Sequence, residues 1–161
     1  MDRNNKSFTI WQQNINKSRT CQHNLLSSTE LIDSKVDIIA LQKPVISEFT
    51  TTIFTRDWRV IYPFMHVKYP SKTRSVILIH VNILTNNWSQ LDINLGDVTI
   101  VKLRGDWDAL MLFNVYNDCE HDDTVGLIRD FQKSLDDNSP ACPSEDAHTI
   151  WLGDFNRHHP Y

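Results

Sequence analysis

Residues 36–41 read VDIIAL, a short, apolar run rich in β-forming side chains that ends on polar Gln42 and Lys43 ahead of Pro44. A run that is apolar on successive positions, directly after a helical stretch, suits a strand covered on both faces. The helical stretch is residues 19–33, where Cys21, Leu25, Leu26, Leu31 and Ile32 fall at helical spacing and Ser18 or Thr20 can serve as N-cap. Before it, residues 7–14 (SFTIWQQN) alternate at about period two and stop at a turn of Asn16, Lys17 and Ser18. Further strands are expected at residues 58–63, 75–81, 98–103 and 109–116, with GDWD at 105–108 as a hairpin turn. Residues 123–135 place Val125, Ile128, Phe131 and Leu135 on one helical face, capped by Asp122 or Asp123. A Pro- and Ser-containing loop leads to a last strand, HTIWLGDFN, at 148–156. The order β, α, β, several strands, α, β, without internal repeats, predicts a layered α/β domain.

Composition narrows the function. The 161 residues are enough for one ordinary domain, and 40% hydrophobic content supplies a core and argues against default disorder. No apolar stretch approaches the roughly 20 residues that span a bilayer, and the first ten residues lack the apolar region of a secretory signal. An intracellular address is the expectation. Cys21, Cys119 and Cys142 are odd in number and widely spaced, which speaks for reduced thiols over a disulfide framework or a zinc knuckle. With 16 Lys and Arg against 20 Asp and Glu, the net charge of −4 argues against tight non-specific nucleic-acid binding. It still permits brief contact with a phosphodiester through a metal ion and a few local cations.

Four expected strands deliver polar residues at or just beyond their C-terminal ends: Asn14, Gln42 with Lys43, Tyr116 with Asn117, and Asp154 with Asn156. Open α/β sheets build their sites at such ends. Turn chemistry alone also favours Asn and Asp there, so both readings stand at this level.

IWQQNINKSR, VDIIALQKP, FNVYND and WLGDFNRHHP, in this order, resemble the endonuclease/exonuclease/phosphatase superfamily. Their nearest counterpart is the endonuclease domain of fungal non-LTR (LINE-type) retrotransposons, with GDFN followed by RHHP the most specific part. The resemblance runs over residues 7–161 and implies a four-layered α/β sandwich that cleaves phosphodiesters with a divalent cation, usually Mg²⁺. It implies that Asn14 lies near the metal, that Asp154 orients or deprotonates the attacking water, and that Asn156 hydrogen-bonds the scissile phosphate. Tyr116 would contact the phosphate beside Asp154. A trigonal-bipyramidal phosphate needs donors for its developing charge and a carboxylate within reach of water, which accounts for these residue types. On an extended segment His158 and His159 would point different ways, so no bidentate clamp is expected of them; the resemblance makes them, with Arg157, part of the signature and implies that they pack or line the phosphate groove. The implied partner is DNA, held weakly and transiently, and the implied address is nuclear.

The chain departs from that pattern at two places. Where the family carries its principal metal-ligating glutamate, after the leucine and glutamine of the second strand, this chain has Lys43. An ammonium cannot ligate Mg²⁺, and two unit charges ~4 Å apart interact by ~4 kcal/mol at an effective dielectric near 20. Metal affinity is therefore expected to collapse, with Lys43 pairing to Asp154 across the site. The sequence also reaches Tyr161 just after GDFN, where the family continues to a further Asp and a catalytic His; residues 1–161 thus read as the incomplete N-terminal portion of a single such domain, with strands left exposed and prone to association. The expected function is metal-dependent hydrolysis of DNA phosphodiesters by ancestry, impaired or absent in this chain. The alternatives are a catalytically dead remnant acting as a weak binding module, and a phosphatase on another phosphoester; RHHP after GDFN favours the retroelement branch over the last.

Overall fold

The computed structural model describes residues 8–105, 108–118, 120, 122–137 and 148–156. Strand β1 (Ile10–Asn14) leads through α1 (Arg19–Leu26) and α2 (Thr29–Asp33) to β2 (Ile38–Gln42). Then come β3 (Trp58–Ile61), β4 (Ser75–His80), β5 (Trp88–Leu91), β6 (Val98–Gly105) and β7 (Asp108–Tyr116). Helix α3 (Asp123–Asp137) and β8 (His148–Asp154) complete the order. Two four-stranded sheets result, ordered β1-β2-β4-β3 and β5-β6-β7-β8.

Each sheet contains one parallel pair, β1 with β2 and β7 with β8, and its other pairings are antiparallel. A parallel pair needs a crossover, supplied by α1–α2 in the first sheet and α3 in the second. The strands of a parallel pair end at the same edge, so this topology gathers the ends of β1 and β2, and of β7 and β8. Gly105 pairs with Asp108, the register of a two-residue hairpin connection.

Three apolar clusters fill the three interfaces of an α/β/β/α sandwich. Leu25 and Leu31 of the first two helices pack on Ile39, Leu41, Val76 and Leu78. The opposite parity of the same strands, Ile38, Ile77 and Ile79, meets Val101, Leu103, Leu110 and Leu112 between the sheets. On the far side Val98, Ile100, Phe113 and Val115 pack on Ile128 of α3, and Trp151 stacks on Phe113 at 4.1 Å. All five residues of β2 are buried, as the continuous apolar run predicts. The four-layered α/β sandwich is the architecture of the described chain.

Several details differ from expectation. The expected helix at 19–33 is two helices: Ser18 caps α1 through its hydroxyl, which accepts from the Cys21 amide, and the chain breaks at Ser27 and Ser28, where the Ser28 hydroxyl caps the next turn at Leu31. Strand β3 stops before Pro63, which has no N–H to offer a ladder. Strand β5 went unanticipated because its four residues, WSQL, carry too little apolar pattern. Apolar strand faces are covered with one exception among the described residues, Ile150 of β8, which is 37% exposed; the other exposed large hydrophobics sit on loops or α3. Cys21 is a free thiol, while Cys119 and Cys142 lie outside the described residues. Among the described residues no helix is long and apolar enough to cross a membrane.

Gly153 has φ +142°, and a Cβ there would sit 1.9 Å from the carbonyl oxygen of Val115, its register partner on β7. Backbone oxygen cannot move aside without breaking the β7–β8 ladder. Gly153→Ala is expected to lower stability by about 3 kcal/mol or more, read as a shift in the urea midpoint.

Candidate functional site

Inward-facing positions at one end of the sandwich are polar. Gln12 Nε2 donates to Gln42 Oε1 at 2.5 Å, and Gln42 Nε2 donates to Asn114 Oδ1 at 2.5 Å. The Asn114 amide in turn donates to the carbonyls of Leu41 (2.9 Å) and Val76 (2.8 Å), crossing from the second sheet to the first. Ser75 Oγ donates to the Asn114 carbonyl at 2.8 Å and Thr99 Oγ1 to the Ser75 carbonyl at 3.0 Å. Gln42, Ser75 and Asn114 are fully buried, so each depends on these partners. Sequence reasoning passed over Gln12, Ser75, Thr99 and Asn114. The available signal was a polar residue on the core-facing parity of an otherwise apolar strand, Asn114 within ALMLFNVY.

Above this floor Asn14 and Asp154 meet directly, Asn14 Nδ2 donating to Asp154 Oδ2 at 2.6 Å. Asn14 Oδ1 accepts from the Asn16 amide at 2.9 Å, and Asp154 Oδ1 from the Asn156 amide at 3.2 Å. Asn156, at φ +42°, turns its side chain back to donate to the Asn117 carbonyl at 2.7 Å. Asn117 is buried, and its Oδ1 has no partner among the described residues. Tyr116 is the register neighbour of Asp154 across the parallel pair. Its ring lies 5.0 Å from the Lys43 ammonium and 5.4 Å from the Arg74 guanidinium carbon. The structure thus brings Asn14, Tyr116, Asp154 and Asn156 to one place; Arg157, His158 and His159 lie outside the described residues.

Lys43 does not pair with Asp154. Its backbone is left-handed, at φ +46°, and is held on both sides: its N–H donates to the Arg74 carbonyl and its carbonyl accepts from the Lys17 N–H, each at 2.8 Å. From there the ammonium reaches Asn16 Oδ1 at 3.4 Å and the Tyr116 ring, while the Asp154 carboxylate is already taken by Asn14 and Asn156. Asn16 and Lys17 are left-handed too, at φ +51° and +57°. That conformation costs a residue bearing a Cβ about 1 kcal/mol or more.

Arg74 sits behind Lys43, its Nε 2.6 Å from Asp97 and its Nη1 3.3 Å from Asp118. Burial works against its charge, but Asp97 and then Asp118 outweigh that and hold the guanidinium pKa above its usual value. Together Asn16, Lys17, Lys43, Arg74, Tyr116 and Asp118, with Glu120, line a cleft of about 400 Å³. A neighbouring cleft of about 540 Å³ shares Lys17 and has Thr50 and Thr73 on its walls. His66 ties those walls together, donating from Nε2 to the Thr50 carbonyl (2.8 Å) and sharing a hydrogen bond at Nδ1 with the Thr73 hydroxyl (2.6 Å), with Tyr62 stacked on the ring at 4.0 Å. Burial pushes the His66 pKa down and so favours the neutral imidazole.

The donors at the site do not fit Mg²⁺, which demands near-octahedral hard oxygens. Asp154 and the amide oxygen of Asn14 are hard donors, but the next side chain along is the Lys43 ammonium, a charge that repels the cation where a further hard oxygen would be wanted. Among the described residues no group of three His, Cys, Asp or Glu is placed to hold a metal ion.

No protein-family model matches the chain, and no curated protein matches its sequence. Solved structures do share the fold. The chain is similar to the endonuclease domain of TRAS1, a telomere-specific non-LTR retrotransposon, at 15% identity and TM-score 0.69 over 95% of this chain and 61% of that one. It is similar to the AP endonuclease LMAP from Leishmania major, at 14% identity and TM-score 0.60 over 91% of this chain and 54% of that one. A third is an endonuclease/exonuclease/phosphatase family protein from Leptotrichia buccalis, at 12% identity and TM-score 0.55 over 93% and 67%. The chain therefore has the fold of the endonuclease/exonuclease/phosphatase proteins and spans roughly half to two thirds of the length of these structures.

Asn114→Ala would leave the buried Gln42 amide without its acceptor and remove the donors that cross to β2 and β4, and is expected to cost about 3 kcal/mol in urea unfolding, whereas Asn16→Ala on the exposed rim should cost only the roughly 1 kcal/mol of its left-handed backbone. A lowered His66 pKa means that the unfolded chain binds the extra proton first. Stability should be full above the usual imidazole value near 6.5 and decline as pH falls below it through the lower folded value. The decline should be smaller in His66→Gln, measured as urea midpoints on either side of that window.

Proposed function

We propose that this chain is a retroelement-type endonuclease domain by descent, built to receive a DNA phosphodiester, in which Lys43 has displaced the metal ligand and with it the cleavage step. Lys43 carries the reading: a cation fixed by two main-chain hydrogen bonds occupies the end of β2 where the family places its glutamate. The remaining groups suit recognition of a phosphate. Tyr116 offers a hydroxyl donor, and Asn14 orients the Asp154 carboxylate at 2.6 Å. With an ammonium in place of a Lewis acid, these groups can hold and orient a phosphodiester but do not generate a hydroxide nucleophile. The similarity to structures named as endonucleases supports a nucleic-acid substrate over another phosphoester. The retroelement branch is supported by GDFN followed by RHHP and by the likeness to the TRAS1 domain.

The test is nicking of supercoiled plasmid in Mg²⁺, run with the chain as it is and with Lys43→Glu and Asp154→Ala. The unaltered chain should leave the plasmid intact, and Lys43→Glu should bind Mg²⁺ at least about tenfold more tightly, since it exchanges a repelling charge for a hard oxygen donor. Metal-dependent nicking by the unaltered chain that disappears in Asp154→Ala would overturn the proposal.

A further inference from the structure

The cleft beside Tyr116 has the wrong charge for a cation and suits an anion. Arg74 is spent internally on Asp97 and Asp118. Lys17 and Lys43 are not: among the described residues neither forms an ion pair, and the one side-chain hydrogen bond between them is the 3.4 Å contact of Lys43 to the neutral Asn16. The Tyr116 hydroxyl likewise makes no hydrogen bond among the described residues. The opposing charge on the rim is Glu120, with Asp118 already engaged by Arg74.

The backbone presents these cations deliberately. Lys17, Lys43 and Arg74 come from three separate segments, yet the Lys17 N–H donates to Lys43 and the Lys43 N–H to Arg74, so their Cα positions are fixed relative to one another. Both lysines stand in left-handed backbone, where Asn or Gly would be tolerated more easily. A side chain kept at a strained position points to a role outside local folding. Two uncompensated ammoniums and a tyrosine hydroxyl form a donor set for a tetrahedral oxyanion.

We infer that the Lys17, Lys43 and Tyr116 cleft binds a phosphate group without a metal ion, the Lys43 ammonium standing where a metal would otherwise neutralise the ligand. The inference rests on the proposed function in taking Lys43 to occupy the cation's place. The about 400 Å³ of the cleft admits a phosphate together with part of the nucleoside that carries it. Two sources share this chemistry: a terminal phosphomonoester and an internal phosphodiester of a single strand.

The experiment titrates the whole chain with inorganic phosphate in excess EDTA, following amide chemical shifts. Parallel titrations use one short DNA oligonucleotide with and without a 5′-phosphate. Saturable binding in EDTA is expected, weakened roughly tenfold by Lys43→Asn and several-fold by Lys17→Asn, because each removes a charge-assisted donor. Lys35→Asn is the control, since Lys35 is also left-handed, at φ +49°, and lines a different cleft. Asn tolerates that backbone, so thermal melting should show all three variants folded. Tighter binding of the phosphorylated oligonucleotide identifies a terminal phosphate, and equal binding identifies the diester; either supports the site when it depends on Lys43. Phosphate binding that fails to saturate, that requires Mg²⁺, or that survives Lys43→Asn at full strength overturns it. Plasmid nicking in Mg²⁺ would sink the functional proposal whatever these titrations give, so the two can fail separately.

Discussion

The hydrogen bond from Gln42 to Asn114 joins two sheets that are otherwise held by non-directional apolar contact. Ile38, Ile77, Val101 and Leu112 would pack acceptably over a range of small slides, because burial depends on area and hardly on register. A buried amide pair has no such latitude. Asn114 answers to Gln42, Leu41 and Val76 at once, and its own amide and that of Gln42 would lose their partners in the low-dielectric interior if the sheets shifted. The polar chain thereby fixes the height of β1 and β2 against β7. Everything at the mouth follows from that height, including the 2.6 Å contact between Asn14 on one sheet and Asp154 on the other.

Charge decides what the mouth can hold. The carboxylate and amide oxygens there accept from neighbouring N–H groups, while ammonium and guanidinium groups crowd the tyrosine. One residue tips the balance, since a glutamate at position 43 would lower the local charge by two units. Lys43 is anchored through its main chain and its side chain is only partly covered, so packing does not dictate the sign of the charge it carries. Architecture and chemistry are thus separable here, and a shared fold need not carry a shared reaction.

Much of this was legible in the residue pattern. The continuous run before Gln42 announced a doubly covered strand, and the polar residues closing four strands announced where they would meet. The split of the first helix at Ser27 and Ser28 was hidden because its apolar spacing continues across the break, and β5 was hidden because WSQL is too short and too polar to register. Asn114 was overlooked for a different reason: in a strand that alternates sides, one polar residue looks like noise until the opposing strand supplies Gln42. The direction of Lys43 was misread because pairing by charge presumes a free side chain, whereas its left-handed backbone had already settled which way it leaves. Long-range partners and backbone sign are three-dimensional properties that composition and periodicity do not encode.

Asn14 and Asp154 are separated by 140 positions along the chain. Among the described residues strand β8 joins its sheet through β7, and β7 in turn pairs with β6. Contacts of such sequence separation close late, after shorter loops have been ordered. During synthesis the first sheet and its helices can assemble around their own apolar cluster while the opposite wall of the mouth is still unmade. An emerging chain would therefore display Lys43, Lys17 and Arg74 before Asp154 arrives to face them, so the cationic half of the site has a life of its own in time as well as in space.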